Sequence, residues 1–279
     1  MGLILHDFII EKHVKSALEE DIGFGDITTD FLAEEGDILE GVLNTREDGI
    51  LCGADIFKKV FNVLDKNVEV EFYFKDGDFI AFGDKIASIR GSARAILTGE
   101  RTALNYVQRL SGIATETRKY QDAIADNKAQ IVDTRKTTPN FRLFEKYAVK
   151  TGGGALHRFN LSDCAMIKDN HIRLAGSITK AVEKLRKNIS HAHKIEVECD
   201  TLEQVKEAVA VGADIIMLDN MSIEAMREAV SFIDGRAVVE ASGNVNLKTV
   251  KEIASTGVDI ISSSAIVAKA MTLDLGLDI

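Results

Sequence analysis

The sequence predicts an α/β protein in which a small α/β domain precedes a β/α barrel of eight strands or fewer. Two observations carry this prediction. After about residue 112, short apolar runs alternate with amphipathic helical stretches, and the last four runs begin about 20 residues apart, the spacing of parallel βα units. In addition, a pattern within 205–216 recurs 45 residues later, within 250–261, as expected of a barrel built from similar units.

The first hundred residues predict the small α/β domain. An amphipathic helix is expected at 8–18, and β segments follow, among them 50–52 and the alternating 68–74. The turn spacing of 76–91 is similar to that of biotinyl and lipoyl carriers. Because the lysine-tip motif of those carriers is absent, we interpret this segment as scaffold.

A long helix is predicted over 93–110, where apolar residues form one buried stripe. We place the N-terminal domain at residues 1–112, with the C-terminal tail 271–279 returning to it, and the catalytic barrel at 113–270. The predicted barrel strands are 131–132, 165–167, 195–197, 215–218, 237–239 and 258–261.

The amino-acid composition argues against several classes of function. The chain has 279 residues, 46% of them apolar, and a formal net charge of −10, which disfavours general binding to nucleic acid or anionic membranes. No apolar run approaches the roughly 18 residues of a membrane span, and no secretory signal is visible. Three widely spaced cysteines fit neither a disulfide scaffold nor a zinc site. We therefore expect a soluble cytoplasmic protein.

Polar residues follow each predicted barrel strand. Active sites of such barrels lie at the carboxyl ends of the strands, so these residues are candidates for the site. They are Asp133–Lys136, Lys168–His171, Glu198, Asp219 with Asn220, Ser242–Asn244, and Ser263 with Ser264.

Positive charge is concentrated in one part of this series. Residues 131–173 contain eight Lys and Arg against four Asp and Glu, a net charge of +4, so the rest of the chain carries −14. Such a block also fits a solvated basic face. Because Arg135, Lys136 and Lys168 fall at strand ends, we favour a site for a multiply charged anion.

Two carboxylates, Glu198 and Asp219, end consecutive predicted strands and are expected to converge. Hard oxygen ligands suit Mg²⁺ held jointly with a substrate's phosphates or hydroxyls, although salt bridges to nearby lysines are the alternative. The loops Ser242–Asn244 and Ser263–Ser264 occupy the place where barrels often bind phosphate through backbone N–H groups.

Two other motifs are discounted. His191 and His193 with Glu196 have the look of a metal cluster, but they fall around the loop before a strand. The run Gly152–Gly154 lacks the Gly-Lys-Ser/Thr ending of a nucleotide-binding P-loop. It retains the freedom to let backbone approach a ligand closely.

These residues resemble the quinolinate phosphoribosyltransferase family over nearly the whole chain, most specifically between Thr134 and His171. The matching segments are Thr134–Pro139, Glu145–Tyr147, Gly152–Gly154, His157–Asp163, Ile167–His171, Glu196–Glu198, Met217–Asn220 and Glu240–Gly243, with Glu20–Asp21, Gly25–Thr29 and Gly99–Asn105 upstream.

The resemblance implies an N-terminal α/β sandwich domain that closes the barrel of its partner in a homodimer or an assembly of dimers. It implies Mg²⁺-dependent conversion of quinolinate and phosphoribosyl pyrophosphate to nicotinate mononucleotide, pyrophosphate and CO₂, a step of NAD biosynthesis.

The resemblance also assigns roles to residues. Lys136, Lys168, Glu198 and Asp219 are the implied catalytic group, and Glu198 and Asp219 serve the ribose and its metal. The implied substrate-binding residues are Arg101 from the partner subunit, Arg135, Lys136, His157, Arg158, Lys168, Ser242, Gly243, Asn244, Ser263 and Ser264.

Two phosphate loops depart from the family pattern. The family usually has Ser-Gly-Gly at Ser242–Asn244, and Gly-Ala-Leu-Thr-His-Ser at Ser264–Lys269. Asn tolerates left-handed backbone better than most residues, so the first loop is expected to survive. Ser264 instead adds a side chain where glycine lets backbone approach.

Three other interpretations remain open on these residues. A relative with the same fold, such as the ModD-type proteins linked to molybdenum transport, would act on a different substrate. A lyase would use Lys168 to form a Schiff base. A binding or regulatory protein would keep the basic pocket without turnover.

Overall fold

The computed structural model describes Leu3–Ile279 and confirms the mixed α/β class. The first part of the chain forms α1 (Asp7–Ile22), α2 (Thr29–Leu32), β1 (Ile38–Thr45), β2 (Gly49–Ile50), α3 (Ala54–Leu64), β3 (Glu69–Phe72), β4 (Phe79–Ile80), β5 (Lys85–Ser92) and α4 (Ala93–Ala123). The second part forms β6 (Gln130–Val132), α5 (Arg142–Thr151), β7 (Ala165–Ile167), α6 (Asp169–Ala175), α7 (Ile178–Asn188), β8 (Ile195–Cys199), α8 (Leu202–Ala210), β9 (Ile215–Asp219), α9 (Ile223–Ile233), β10 (Val238–Ser242), α10 (Val250–Ala254), β11 (Ile260–Ser262), α11 (Ala265–Ala268) and β12 (Leu275–Asp278).

The chain divides into two compact units. The first contains the described residues up to Arg118 together with Leu143–Gly153 and Ala270–Ile279, and the second contains Lys119–Arg142 and Gly154–Lys269. Residues 1 and 2 of the predicted N-terminal domain lie outside the described residues. Within Leu3–Ile279, no helix combines the length and the apolar character that crossing a membrane requires.

The first unit is built on a four-stranded antiparallel sheet in the order β12-β1-β5-β3. The C-terminal strand β12 pairs with β1, with Leu43 opposite Leu277. Their side chains join the buried core of this unit, which also includes Phe57 and Phe61 of α3. Burial of these apolar side chains is the main stabilising contribution here, at about 2 to 3 kcal/mol for each large one.

Helix α4 is longer than the sequence indicated, because it continues past 110 to Ala123. Gly112 interrupts the apolar stripe but is required inside the helix, since a Cβ there would lie 1.9 Å from the Met271 carbonyl oxygen. Beyond Gly112 the buried face resumes with Ile113 and Tyr120. A packing requirement thus overrides a residue that is unfavourable in helices.

Most of helix α5 belongs to the first unit, whereas the predicted boundary between residues 112 and 113 placed this helix in the barrel domain. Its Phe144 ring lies 4.5 Å from the ring of His13. Its Tyr147 hydroxyl donates to Asp76 at 2.8 Å. These contacts join sequence-distant residues, so local patterns carry no sign of them.

The second unit contains a six-stranded parallel sheet in the order β6-β11-β10-β9-β8-β7, consistent with the predicted β/α barrel. Each predicted apolar run overlaps one of these strands. Next to β6, Ala155 forms a parallel bridge with Val132, which brings the segment after Gly154 alongside the sheet. The carboxyl ends of all six strands therefore share one edge.

Candidate active site

The carboxyl ends of the parallel strands surround a cavity of about 730 Å³. Every catalytic and substrate-binding residue that the resemblance implied in the second unit lines it: Arg135, Lys136, His157, Arg158, Lys168, Glu198, Asp219, Ser242, Gly243, Asn244, Ser263 and Ser264. Of the candidates chosen only for their place after a strand, Asp133 and Asp169–His171 do not line it. Met166 and Met217 line it too and were not predicted. They lie two residues before Lys168 and Asp219. Side chains two residues apart on a strand point to the same face, so this spacing could have predicted them.

The basic wall of the cavity begins after β6. Arg135 and Lys136 are exposed, and within the part of the chain that the structure describes neither side chain forms an ion pair. Arg158 is half-buried and donates from Nη1 to the Cys164 carbonyl oxygen at 2.8 Å. Free guanidinium and ammonium groups on a concave surface provide the charge that a carboxylate or phosphate ligand needs.

Lys168 directly follows β7, precedes α6 and lines the cavity. Its backbone N–H donates to His171 Nδ1 at 3.0 Å, which explains the pairing of these two residues at the start of α6. Its ammonium donates to Glu198 Oε2. A Schiff-base lyase would need this nitrogen free to attack a carbonyl carbon, whereas here it is engaged by the Glu198 carboxylate.

The two carboxylates are oriented by different neighbours. Glu198 is held by Lys168 through Oε2, and Asp219 Oδ2 accepts from Asn220 Nδ2 at 2.8 Å. Among residues 3–279, no hydrogen bond or ion pair engages Glu198 Oε1 or Asp219 Oδ1. Two oxygen ligands beside open cavity space fit Mg²⁺, which binds through one or two carboxylates plus substrate oxygens.

The loop after β10 has left-handed backbone at two successive residues, with φ of 89° at Gly243 and 51° at Asn244. A Cβ at Gly243 would lie 2.3 Å from Asn220 Oδ1, so glycine is required there. The expectation that Asn244 accommodates this geometry is confirmed. Its Nδ2 also donates to Asn220 Oδ1 at 2.9 Å, which links the loop to Asp219 through Asn220.

The loop after β11 presents its two serines differently. Ser263 is buried, and its hydroxyl donates to the Val245 carbonyl at 3.4 Å and accepts from Ala265 N–H at 3.2 Å. Ser264 precedes α11 and makes no capping hydrogen bond with its side chain. Lys269 lines the same part of the cavity. The Ser263 hydroxyl therefore stabilises the loop through its hydrogen bonds, while Ser264 and Lys269 remain available to a ligand.

His157 lines the cavity beside two buried glutamates that do not line it, Glu196 and Glu240, and we call these three residues the floor. His157 Nε2 lies 3.5 Å from Glu196 Oε2 and 3.4 Å from Glu240 Oε1. Burial lowers the pKa of His157, but contacts with Glu196 and Glu240 outweigh it and raise this pKa to about 10. Burial raises the pKa of Glu196. Glu196 therefore lies with His157 and Glu240 rather than with His191 and His193.

Other motif residues have structural roles in the first unit. A Cβ at Gly152 would lie 2.3 Å from the Ala114 carbonyl oxygen, so glycine at this position allows the end of α5 to pack against α4. Glu145 is fully buried and pairs with Arg109 at 3.0 Å. Arg101 is exposed on α4.

Two family models match this chain. Residues 26–111 match the quinolinate phosphoribosyl transferase N-terminal domain, and residues 113–278 match the C-terminal domain. A probable nicotinate-nucleotide pyrophosphorylase [carboxylating] of Synechocystis sp. is 45% identical over 97% of this chain and 92% of its own length. One from Bacillus subtilis is 44% identical over 97% and 93%.

Solved structures agree. The crystal structure of NadC from Streptococcus pyogenes superimposes with a TM-score of 0.96 at 42% identity, covering 99% of this chain and 97% of that one. The nicotinate-nucleotide pyrophosphorylase from Francisella tularensis gives 0.94 at 43% identity, covering 99% and 98%. Full-length similarity, together with a strand-end cavity formed by the motif residues, shows that the chain belongs to the quinolinate phosphoribosyltransferase family.

Proposed function

We propose that this protein transfers the phosphoribosyl group of phosphoribosyl pyrophosphate to quinolinate with loss of CO₂, giving nicotinate mononucleotide and pyrophosphate for NAD biosynthesis. The observation that carries the proposal is the cavity itself. It places the cations Arg135, Lys136 and Lys168 at one strand edge with the carboxylates Glu198 and Asp219, in a chain of this family.

Quinolinate carries two carboxylates beside a ring nitrogen, so it needs at least two cationic partners. Arg135, Arg158 and Lys168 line one continuous wall and are the residues assigned to it. Each charge-assisted hydrogen bond to a carboxylate contributes about 1.5 to 3 kcal/mol. Such an arrangement holds the dianion while the ring nitrogen faces the ribose.

Transfer begins when the pyridine nitrogen attacks the anomeric carbon of the ribose and the bond to pyrophosphate breaks. Negative charge grows on the departing pyrophosphate, and Lys136 is the cation assigned to stabilise it electrostatically. Positive charge grows on the ribosyl carbon, which Glu198 and Asp219 stabilise from the other side of the cavity.

Decarboxylation follows from the quaternised pyridinium. The electron pair of the ring–carboxylate bond passes into the positively charged ring as CO₂ leaves, and a proton then replaces CO₂ at that carbon. The ring is its own electron sink, so the protein needs only to position the departing carboxylate. No side chain is assigned as general acid or base.

Mg²⁺ is proposed to be held by Glu198 and Asp219 together with substrate oxygens. When bound, the ion supplies charge neutralisation for the pyrophosphate group. The 5′-phosphate of the ribose is assigned to backbone N–H groups and hydroxyls of Ser242–Asn244 and of Ser264, with Ser263 shaping the second loop.

A homodimer is proposed in which Arg101 of one subunit completes the cavity of the other. Supporting this, Phe24, Ile27, Phe31 and Leu32 are exposed apolar side chains in one short segment. Exposed apolar patches commonly mark association surfaces.

That apolar segment is fastened to the helix that carries Arg101. Asp26 Oδ2 accepts from the Thr98 hydroxyl at 3.2 Å, and Asp21 accepts from the Thr102 hydroxyl at 3.1 Å. The apolar surface and Arg101 are thus neighbours on the first unit. Association of two subunits through the apolar segment would therefore position Arg101. We also propose that the protein works in the cytoplasm.

The test is product analysis by mass spectrometry. Purified protein receives phosphoribosyl pyrophosphate and Mg²⁺ with either quinolinate or nicotinate. Nicotinate mononucleotide from quinolinate alone is the expected result. Product from nicotinate alone would contradict the proposal, and so would absence of product from both acceptors.

A further inference from the structure

Arg142 is the first residue of α5 and lies between two loops that carry cations of the cavity wall. The 134–137 loop follows β6 and carries Arg135, while the 157–163 loop precedes β7 and carries Arg158. Arg142 itself does not line the strand-end cavity. It lines a second cavity, of about 410 Å³, together with side chains of both loops. Arg142 is therefore placed to act on the wall residues rather than on their ligand.

The Arg142 guanidinium forms a hydrogen bond to each loop. Its Nε donates to the Thr137 hydroxyl oxygen at 3.0 Å, and its Nη1 donates to the Phe159 carbonyl oxygen at 2.9 Å. Both acceptors are uncharged, and within the part of the chain that the structure describes Arg142 forms no ion pair. Because the guanidinium is planar and its donors are fixed relative to one another, two simultaneous hydrogen bonds set the separation of the two acceptors.

Thr137 extends this restraint to the backbone of Arg135. The Thr137 hydroxyl donates to the Arg135 carbonyl oxygen at 3.4 Å, and the Thr137 N–H donates to the same oxygen at 2.9 Å. The Lys136 N–H donates to the Thr134 hydroxyl at 3.0 Å, which closes the turn from its other side. A change at Arg142 therefore acts on the backbone that carries Arg135 and Lys136.

Phe159 is the point at which Arg142 holds the 157–163 loop. The Phe159 N–H donates to Asp163 Oδ2 at 2.6 Å, so this end of the loop is closed by its own side chain. The Phe159 carbonyl is then the backbone group that accepts from Arg142. Since Phe159 directly follows Arg158, this hydrogen bond fixes the backbone next to a wall cation.

The turn that leads into α5 has the residues that a rigid turn requires. The Thr138 carbonyl oxygen accepts from the Phe141 N–H at 3.1 Å, which defines a four-residue turn. Pro139, the only proline in the sequence, and Asn140, with φ of 61°, occupy its second and third places. Proline presets φ at the second place, and asparagine tolerates the positive φ of a type II turn at the third. Arg142 therefore follows a turn with little conformational freedom.

We propose that Arg142 is a positioning residue for the dianionic substrate: by bridging the Thr137 hydroxyl and the Phe159 carbonyl, it sets the separation of the two loops that carry Arg135 and Arg158. Two carboxylates on neighbouring ring carbons have a fixed separation, so their cationic partners must be held at a matching one. Naming this dianion as quinolinate rests on the proposed function.

The competing role for Arg142 is to add positive charge near the site without joining the loops. Arg142→Lys separates the two roles, because lysine keeps the charge but replaces the rigid fork by one ammonium on a flexible stem. Thr137→Val removes the hydroxyl acceptor and leaves every charge in place. Thr137→Ser keeps that acceptor and is its matched control.

Calorimetry of the full-length protein with quinolinate measures the positioning role. Arg142→Met should raise the dissociation constant about tenfold and Arg142→Lys at least about fivefold, while Arg173→Met on the exposed face of α6 stays at the wild-type value. Thr137→Val should raise it about three- to fivefold, with Thr137→Ser within about twofold of wild type.

A double variant tests whether Arg142 and Thr137 act through the same hydrogen bond. Arg142→Met combined with Thr137→Val should bind quinolinate within about twofold of Arg142→Met alone. Fully additive losses would contradict the inference. So would wild-type binding by Arg142→Lys, or binding by Thr137→Ser as weak as that by Thr137→Val.

Hydrogen–deuterium exchange without substrate tests the bridge itself. In Arg142→Met the amides of the 134–137 and 157–163 loops should exchange about tenfold faster, while those of β9 and β10 keep their wild-type rates. Thr137→Val should show the same change in the 134–137 loop, so the test does not depend on one variant. Unchanged exchange in both loops, or faster exchange throughout the chain, would overturn the inference.

The two measurements separate the inference from the proposed function. The exchange result requires no substrate, so it holds or fails even if quinolinate does not bind. Failure of the wild-type protein to bind quinolinate, with faster loop exchange in Arg142→Met, would refute the transferase assignment alone. Unchanged loop exchange in a protein that binds quinolinate would refute the role of Arg142 alone.

Discussion

The wall and the floor of the cavity use charge in opposite ways. On the wall, Arg135 and Lys136 are exposed and form no ion pairs among the described residues, so their charge is available to a ligand. On the floor, His157 Nε2 lies 3.5 Å and 3.4 Å from the carboxylates of two buried glutamates, Glu196 and Glu240. The wall therefore presents its charge to the cavity, whereas the floor holds its ionisable groups against one another inside the protein.

The largest expected effect comes from the wall residue that also contacts a carboxylate. Lys168→Met removes a cation from the cavity and leaves Glu198 without its partner. We expect kcat/KM for quinolinate to fall about 100- to 1000-fold, as for loss of a preorganised electrostatic group. Steady-state kinetics measures this, and a loss below about fivefold would mean that the wall does not act on the reacting groups.

A second test compares two arginines of the same basic segment. Arg135→Ala should weaken quinolinate binding about 10- to 100-fold, the equivalent of one charge-assisted interaction. Arg173→Ala is the matched control, since Arg173 is exposed in the last turn of α6 and does not line the cavity. Calorimetry of both variants gives the dissociation constants. Equal dissociation constants for the two variants would show that a place on the cavity wall does not determine quinolinate binding.

The floor should be visible in the pH dependence of stability. Burial lowers the pKa of His157, but Glu196 and Glu240 raise it to about 10, so its stabilising contribution is complete below its ordinary pKa and is lost as the pH rises towards 10. We expect the free energy of unfolding to fall by about 1 to 3 kcal/mol between pH 7 and pH 10. Urea unfolding at a series of pH values measures it.

Variants isolate the contribution of the floor to that slope. Burial also raises the pKa of Cys199 to about 12, so thiols add a slope of the same sign. The readout is therefore the difference between wild type and Glu196→Gln, which should show a flatter decline. Glu228→Gln, at an exposed site of α9, is the control. A wild-type slope in Glu196→Gln would mean that the floor does not retain the proton.

The smallest expected effect lies in the altered phosphate loop. Lys269 lines the cavity, so Lys269→Ser should raise the KM for phosphoribosyl pyrophosphate about two- to fivefold without changing the KM for quinolinate. The effect is small because an exposed lysine is screened by solvent. A KM at the wild-type value would place Lys269 outside the phosphate site.

The difference between wall and floor also explains what the sequence could predict. Lys168 and Asp219 directly follow apolar runs, and Arg135 follows one within three residues. A parallel sheet brings such residues to one edge whatever the details of packing. Both the fold class and the residues at this edge of the sheet could therefore be predicted from the sequence. Family motifs extended the same set to Arg158 and the serine loops.

The grouping of the floor residues could not be predicted from the sequence, for a physical reason. Glu196 and Glu240 interrupt apolar strands, and a glutamate inside a strand looks the same whether it faces solvent or a buried histidine. Their pairing depends on the register of β8, β9 and β10 and on a backbone contact to His157. Gly112 inside α4 is similar, since only the neighbouring backbone at Met271 explains it.

The most direct test of the proposed function follows the leaving carboxylate. Protein with Mg²⁺ and quinolinate labelled with ¹³C in the carboxylate next to the ring nitrogen is monitored for labelled CO₂, with and without phosphoribosyl pyrophosphate. Release of labelled CO₂ only when phosphoribosyl pyrophosphate is present, in equal amount to nicotinate mononucleotide, is the predicted result. Release without it, or transfer without release, would contradict the assignment of this cavity to coupled phosphoribosyl transfer and decarboxylation.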